Sequence, residues 1–146
     1  LTPPQPGPSG VEVSIVPAWD ERAIVALYRA GGWWKEEWSE SEIRPLIAKS
    51  AAFAVAVDLS SGVTVGMGRV ISDGISDAYF QDIVVLPDHR RKGVGEKIVT
   101  LLIDWCRARG ICWIAVVAGP ETQSFYQGLL FQEMVGFTPM QYKGGA

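Results

Sequence analysis

Between Val85 and Gly95 the chain reads VLPDHRRKGVG, so three consecutive cations, Arg90, Arg91 and Lys92, run directly into a glycine pair, Gly93 and Gly95. An apolar strand pattern precedes this turn and an amphipathic helix pattern follows it. The first N–H groups of a helix have no internal partner, and glycine lets such groups approach a ligand and tolerates positive φ. The helix dipole places about half a positive charge at that end. Together with two guanidinium groups and an ammonium, these features form a cradle for a pyrophosphate. The plainer alternative is a solvated basic turn with a glycine-assisted helix start. A Walker A loop is absent, and Gly93-Val94-Gly95 is followed by Glu96-Lys97-Ile98, which lacks the third glycine of a dinucleotide fingerprint.

The rest of the composition narrows the chemistry. The net charge of −3 and the pI of about 5.1 argue against a general nucleic-acid binder, which needs a basic excess. A local site for a small anion fits better. His89 is the single histidine and no CxxC pair occurs, so no metal site is expected. With no GxSxG motif either, a serine hydrolase is close to excluded. Cys106 and Cys112 are both expected to be buried thiols, in keeping with a reducing compartment. No apolar run of about 18 residues predicts a membrane span, and no secretory leader is legible. The cytoplasm is the expected location, with an organelle left open.

The elements that must position the cradle follow from periodicity. Residues 1–10 are rich in proline and glycine and read as a disordered arm. Val11 to Val16 alternates as a strand. Asp20 can cap a helix through Tyr28, which Gly31-Gly32 ends. Ser39-x-x-Glu42 forms a capping-box pattern for a second helix reaching Lys49. Strands are expected over 52–58, 63–72 and 78–86, the last nearly continuously apolar towards its end and so central. The clearest helix is 93–109, with Val94, Ile98, Leu101, Leu102 and Trp105 on one stripe. A buried strand over 111–117, a short helix over 122–129 and one or two final strands complete the order. This pattern implies a mixed α/β sheet with helices on both faces.

Arg90-x-x-Gly93-x-Gly95 after an apolar strand resembles the (Gln/Arg)-x-x-Gly-x-(Gly/Ala) signature of the GCN5-related N-acetyltransferases, and the likeness covers about residues 11–142. A second segment, Phe125-Tyr126-Gln127-Gly128-Leu129-Leu130-Phe131, is similar to the family's Phe-Tyr-x-x-x-Gly-Phe, with leucine at 130 where glycine is usual.

The resemblance implies a six- to seven-stranded, mostly antiparallel sheet with a central splay, in one acetyltransferase domain over 11–146. It implies acetyl-CoA as co-substrate, its pyrophosphate held by Arg90, Arg91, Lys92, Gly93, Val94, Gly95 and Glu96. The pantetheine arm would pair with Ile83, Val84 and Val85. Tyr126 would protonate the departing thiolate, and a backbone N–H near Val84 would hold the oxyanion.

Asp82 is the carboxylate nearest on the central strand and Gln81 precedes it. Asp82 is a candidate base acting through water, with a structural partner role as the alternative. Which of the two faces the site depends on a pleat register that the letters leave open.

On the acceptor side, Trp33, Trp34 and Trp38 stand within six residues, beside Glu36 and Glu37. By resemblance this segment walls the acceptor site, and its tryptophans, Trp33 and Trp34 foremost, suit an aromatic or apolar amine, with Glu36 or Glu37 available to attract a cation; packing of a helix on the sheet is the alternative. The expected reaction is acetyl transfer to a primary amine of a small molecule by direct attack, since no nucleophile for a covalent intermediate is evident. A protein lysine or N-terminal acetyltransferase and a non-catalytic acyl-CoA-binding module are the competing readings. A homodimer is left open.

Overall fold

The computed structural model describes residues 10–145; the expected arm over 1–10 lies, Gly10 apart, outside the described residues. Five strands form one sheet in the order β1 (Val11–Ile15), β2 (Ala52–Asp58), β3 (Thr64–Ser72), β4 (Asp77–Val85) and β5 (Trp113–Val116). The first four pair antiparallel, and β5 runs parallel to β4. Four α-helices accompany them: α1 (Glu21–Ala30), α2 (Ile43–Lys49), α3 (Val94–Ala108) and α4 (Gln123–Gln127). The parallel β4–α3–β5 unit is the crossover that the alternation of periods predicts.

The sheet separates two apolar layers. On one face the α3 stripe Val94, Ile98, Val99, Leu102 and Cys106 packs on Ala54, Ala56, Val65, Val70, Ala78 and Phe80. On the other, Ile24, Leu27 and Tyr28 of α1, with Ile43 and Ile47 of α2, cover Phe53, Val55 and Met67. Helices therefore lie on both faces, as expected. Each fully buried Ile, Leu or Phe contributes about 1.5–3 kcal/mol, so the double layer is what stabilises the sheet beneath the site.

Three expectations are corrected. The sheet has five strands where six or seven were expected: residues 128–145 contain no strand, and Leu130, Val135, Phe137, Met140 and Tyr142 are exposed. Apolar letters alone read as strands there, but β5 lends them no ladder among the described residues. The capping box does not close. Ser39 Oγ accepts from Ser41 N–H, and a short 3-10 turn over Glu40–Glu42 precedes α2. Cys106 is buried but Cys112 is exposed, because it sits in the turn between α3 and β5 rather than inside the strand.

β4 carries an irregularity that decides the site. Met67 pairs with Val84 but Arg69 pairs with Gln81, so two steps on β3 face three on β4. The extra residue is a β-bulge, and Asp82 adopts φ 59° there. Before the bulge Ala78 and Phe80 point to the α3 layer; after it Ile83 and Val85 do, while Val84 turns to the α1 layer. Glycines opposite make room. A Cβ on Gly68 would lie 2.5 Å from Ile83 Cδ1, and one on Gly66 would lie 3.2 Å from the Val84 carbonyl oxygen.

Among the described residues no helix is long and apolar enough to cross a membrane.

Candidate active site

The central opening comes from the sheet's own pairing. β5 pairs with β4 only from Asp77 to Phe80. From Gln81 to Val85, β4 has no ladder partner on that side among the described residues. The backbone groups there that are not directed to β3 face the gap that opens as β5 ends at Val116. A cleft of about 320 Å³ occupies this gap, lined by Trp33, Tyr79, Phe80, Gln81, Asp82 and Ile83 on one side and by Val116, Val117, Gly119, Thr122 and Tyr126 on the other. Its size suits a small ligand or the reactive end of a larger one.

At the far end of the exposed edge stands the basic turn. Pro87–His89 form a 3-10 turn, Arg91 takes φ 62° and Gly93 takes φ 79° at the start of α3. No side chain caps α3, so its first amides, from Val94 through Glu96, keep their donors for a ligand. Arg90, Arg91 and Lys92 are exposed around it. Arg90 Nε donates to the Val85 carbonyl at 2.8 Å, joining the turn to the end of β4. Uncapped donors, three cations and an open strand edge fit a diphosphate with an extended amide-bearing arm, the shape of coenzyme A. Glu96 stands in the first turn of α3.

His89 takes no place in the cleft. Its Nε2 lies 3.0 Å from Asp58 Oδ2, at the end of β2, and its Nδ1 is buried without a partner. Asp58 also accepts from the Ser60 hydroxyl and backbone N–H. The Ser60 hydroxyl, and after it His89, pull the Asp58 carboxyl down to about 2. The pair ties the β2–β3 turn to the residue immediately before the cations.

Tyr126 projects from α4 with 8% of its surface exposed, its ring 4.9 Å from that of Phe125 and 5.6 Å from that of Phe131. Its hydroxyl bonds to none of the described residues. Burial pushes the Tyr126 phenol above its ordinary value, so it carries its proton at neutral pH. That is the form an acid needs.

Asp82 lies across the cleft in the bulge. Its Oδ2 accepts from Tyr28 Oη at 2.7 Å and from Arg69 Nε at 2.6 Å. The Arg69 and Asp82 side chains are only 18% and 19% exposed. Burial first, and then the neighbouring Asp82 carboxylate, push the Tyr28 phenol well above its usual range, so it remains a donor. Gln81 lines the cleft too and is exposed. The bulge answers the register question by bringing both residues to the opening.

The two tryptophans part company. Trp33 lines the cleft and stands edge-on to Tyr28, with ring centres 6.3 Å apart. Gly31 allows this: a Cβ there would lie 2.6 Å from Trp33 Cε3. Trp34 is half-buried against the α1–α2 layer and touches Trp38 edge-on at 5.7 Å. It supports the wall from behind. Tyr28 and Arg69 had no signal in the sequence, since they reach Asp82 from 54 and 13 residues away.

The family model of the acetyltransferase (GNAT) family matches residues 18–129. The chain belongs to that family. GCN5-related N-acetyltransferase 3, chloroplastic, of Arabidopsis thaliana is 32% identical over 90 residues, 61% of this chain and 38% of that protein. Serotonin N-acetyltransferase 2, chloroplastic, of Oryza sativa subsp. japonica is 33% identical over 72 residues, 49% of this chain and 36% of that protein. The GNAT chain thus spans little more than a third of the length of these curated relatives. A probable acetyltransferase from meticillin-resistant Staphylococcus aureus superposes with a TM-score of 0.78 at 17% identity, covering 93% of this chain and all of that one, which shows the shared fold.

Proposed function

We propose that this GNAT chain transfers the acetyl group of acetyl-CoA to the primary amine of a small molecule by direct attack. One arrangement carries the reading: the uncapped start of α3 follows a β4 edge that β5 leaves unpaired, and the cleft beside that edge is lined by the buried Tyr126.

In this reading Arg90, Arg91, Lys92 and the amides from Gly93 to Glu96 hold the pyrophosphate. Ile83, Val84 and Val85 offer their backbone to the pantetheine amides. The amine nitrogen attacks the thioester carbonyl carbon, and the carbonyl oxygen takes the negative charge. A backbone N–H released from the ladder near Val84 stabilises that charge, a contribution of about 3–4 kcal/mol for such donors. When the carbon–sulfur bond breaks, Tyr126 gives its phenolic proton to the departing thiolate. The proton lost by the amine passes to Asp82, directly or through water. Trp33 and Gln81 border the acceptor, and the Trp33 face favours an aromatic or cationic amine.

Thiol release from acetyl-CoA, followed against a panel of arylalkylamines, polyamines and lysine-containing peptides, tests the reading. Rapid release with arylalkylamines and little with peptides supports it. Faster release with peptides would make the chain a protein acetyltransferase instead, and binding of acetyl-CoA with no release to any amine would leave an acyl-CoA-binding module.

A further inference from the structure

The bulge residue Asp82 is held from two sides, and both hydrogen bonds fall on the same oxygen. Tyr28 Oη and Arg69 Nε each donate to Oδ2, at 2.7 and 2.6 Å, and no described residue donates to Oδ1. The three side chains come from α1, β3 and β4, so the cluster fixes the carboxylate relative to both the sheet and the helix layer. Asp82 also holds φ 59°, a backbone conformation that costs a non-glycine residue energy and persists only where its surroundings over-determine it. The acidic residue lines the cleft together with Trp33 and Tyr126. Paired ions this far out of water recover their desolvation cost only when their geometry is good.

We infer that Tyr28 and Arg69 are positioning residues that lock Oδ2 of Asp82 and so leave Oδ1 as the single acceptor for the substrate amine. The inference rests on the acetyl-transfer reading above. Tyr28 contributes a hydroxyl that burial keeps protonated. Arg69 contributes a planar donor that sets the carboxylate plane. With Oδ2 saturated, an incoming ammonium or amine meets one oxygen in one direction, opposite Tyr126 and beside the Trp33 ring. The predicted preference is for acceptors with a cationic nitrogen on a short arm from an aromatic group. An amine of that shape satisfies the carboxylate and the indole together.

Tyr28→Phe and Arg69→Lys, measured with acetyl-CoA and an arylalkylamine that the wild type accepts, test this. Tyr28→Phe removes only a hydroxyl, and so carries the test if Arg69→Lys does not fold. The expected result is a fall of about tenfold or more in kcat/KM for the amine, the size of one lost hydrogen bond to a charged group. The KM for acetyl-CoA should stay near the wild-type value, and Arg69→Lys should keep more activity than Arg69→Gln. A merely structural cluster would lower the melting temperature and weaken both substrates alike, which overturns the inference. Variants that keep the wild-type amine kinetics overturn it as well, while leaving the acetyl-transfer reading intact. A wild type that releases no thiol with any amine defeats that reading, and the positioning role with it.

Discussion

Gly95 on α3 lies against the ring of Phe125 on α4: a Cβ at Gly95 would sit 3.3 Å from both Phe125 Cε1 and Cζ. The glycine that opens the helix N-terminus is thus also the seat of the segment that carries Tyr126. A single methyl group fits if the ring yields by a few tenths of an ångström, and alanine returns about 1 kcal/mol of helix propensity. Gly95→Ala is therefore expected to keep both fold and CoA affinity. Gly95→Val adds bulk that the ring cannot clear and should cost about 1–3 kcal/mol, with loss of turnover as Tyr126 moves. Thermal melts and CoA titrations of both variants check this; equal behaviour of the two would show that the contact has no consequence.

Tyr126 lines the cleft and has a burial-raised phenol. Tyr126→Phe should lower kcat by about 10²-fold or more, the range of general acid catalysis, while CoA affinity is retained. Because burial lifts the phenol above its ordinary value of 10.0, the alkaline limb of kcat should lie beyond that pH and disappear in the variant. A parallel loss of turnover and CoA binding would contradict the assignment.

Leu130 takes φ 71° and is 92% exposed. It stands where the family's segment has glycine, and the backbone shows why. The left-handed conformation costs an L-residue about 1–2 kcal/mol, and this side chain recovers nothing by packing. Glycine's greater freedom in the unfolded chain takes back about 0.5–1 kcal/mol. Leu130→Gly should accordingly stabilise the fold by about 0.5–1 kcal/mol, seen as a higher urea midpoint. A lower midpoint would mean that the leucine packs in solution.

The Asp58–His89 pair predicts an acid response. The folded carboxyl of Asp58 is depressed from 3.8 to about 2, by the Ser60 hydroxyl first and His89 second. A depressed carboxyl stabilises the fold above its unfolded value and loses that contribution as pH falls through the folded one. The melting temperature of the wild type should therefore drop between pH 3.8 and about 2 more steeply than that of Asp58→Asn. Identical slopes would show that the pair contributes nothing.

The cradle was legible because its determinants are local: an apolar stripe on α3, two glycines and three adjacent cations within one stretch of chain. The helices on both faces followed from periodicity for the same reason. The bulge in β4 left no such trace, because one extra residue at Gln81-Asp82 reads in the letters as ordinary polar positions within a strand. Without it the directions of Gln81 and Asp82 were open. The partners of Asp82 and of His89 come from elements 13 to 54 residues away, and no local pattern announces a long-range ion pair. The expected final strands failed for the opposite reason: residues 130–142 carry apolar side chains, but a strand exists only where another strand pairs with it.

Acetyl transfer by this route requires acetyl-CoA to lie along β4 and the start of α3, and backbone amide NMR reads this directly. Titration of the 15N-labelled protein with acetyl-CoA is predicted to shift the amides of Lys92 to Glu96 and of Ile83 to Val85 most, with smaller changes around Tyr126. Shifts centred elsewhere, or an unchanged spectrum at saturating acetyl-CoA, would contradict it.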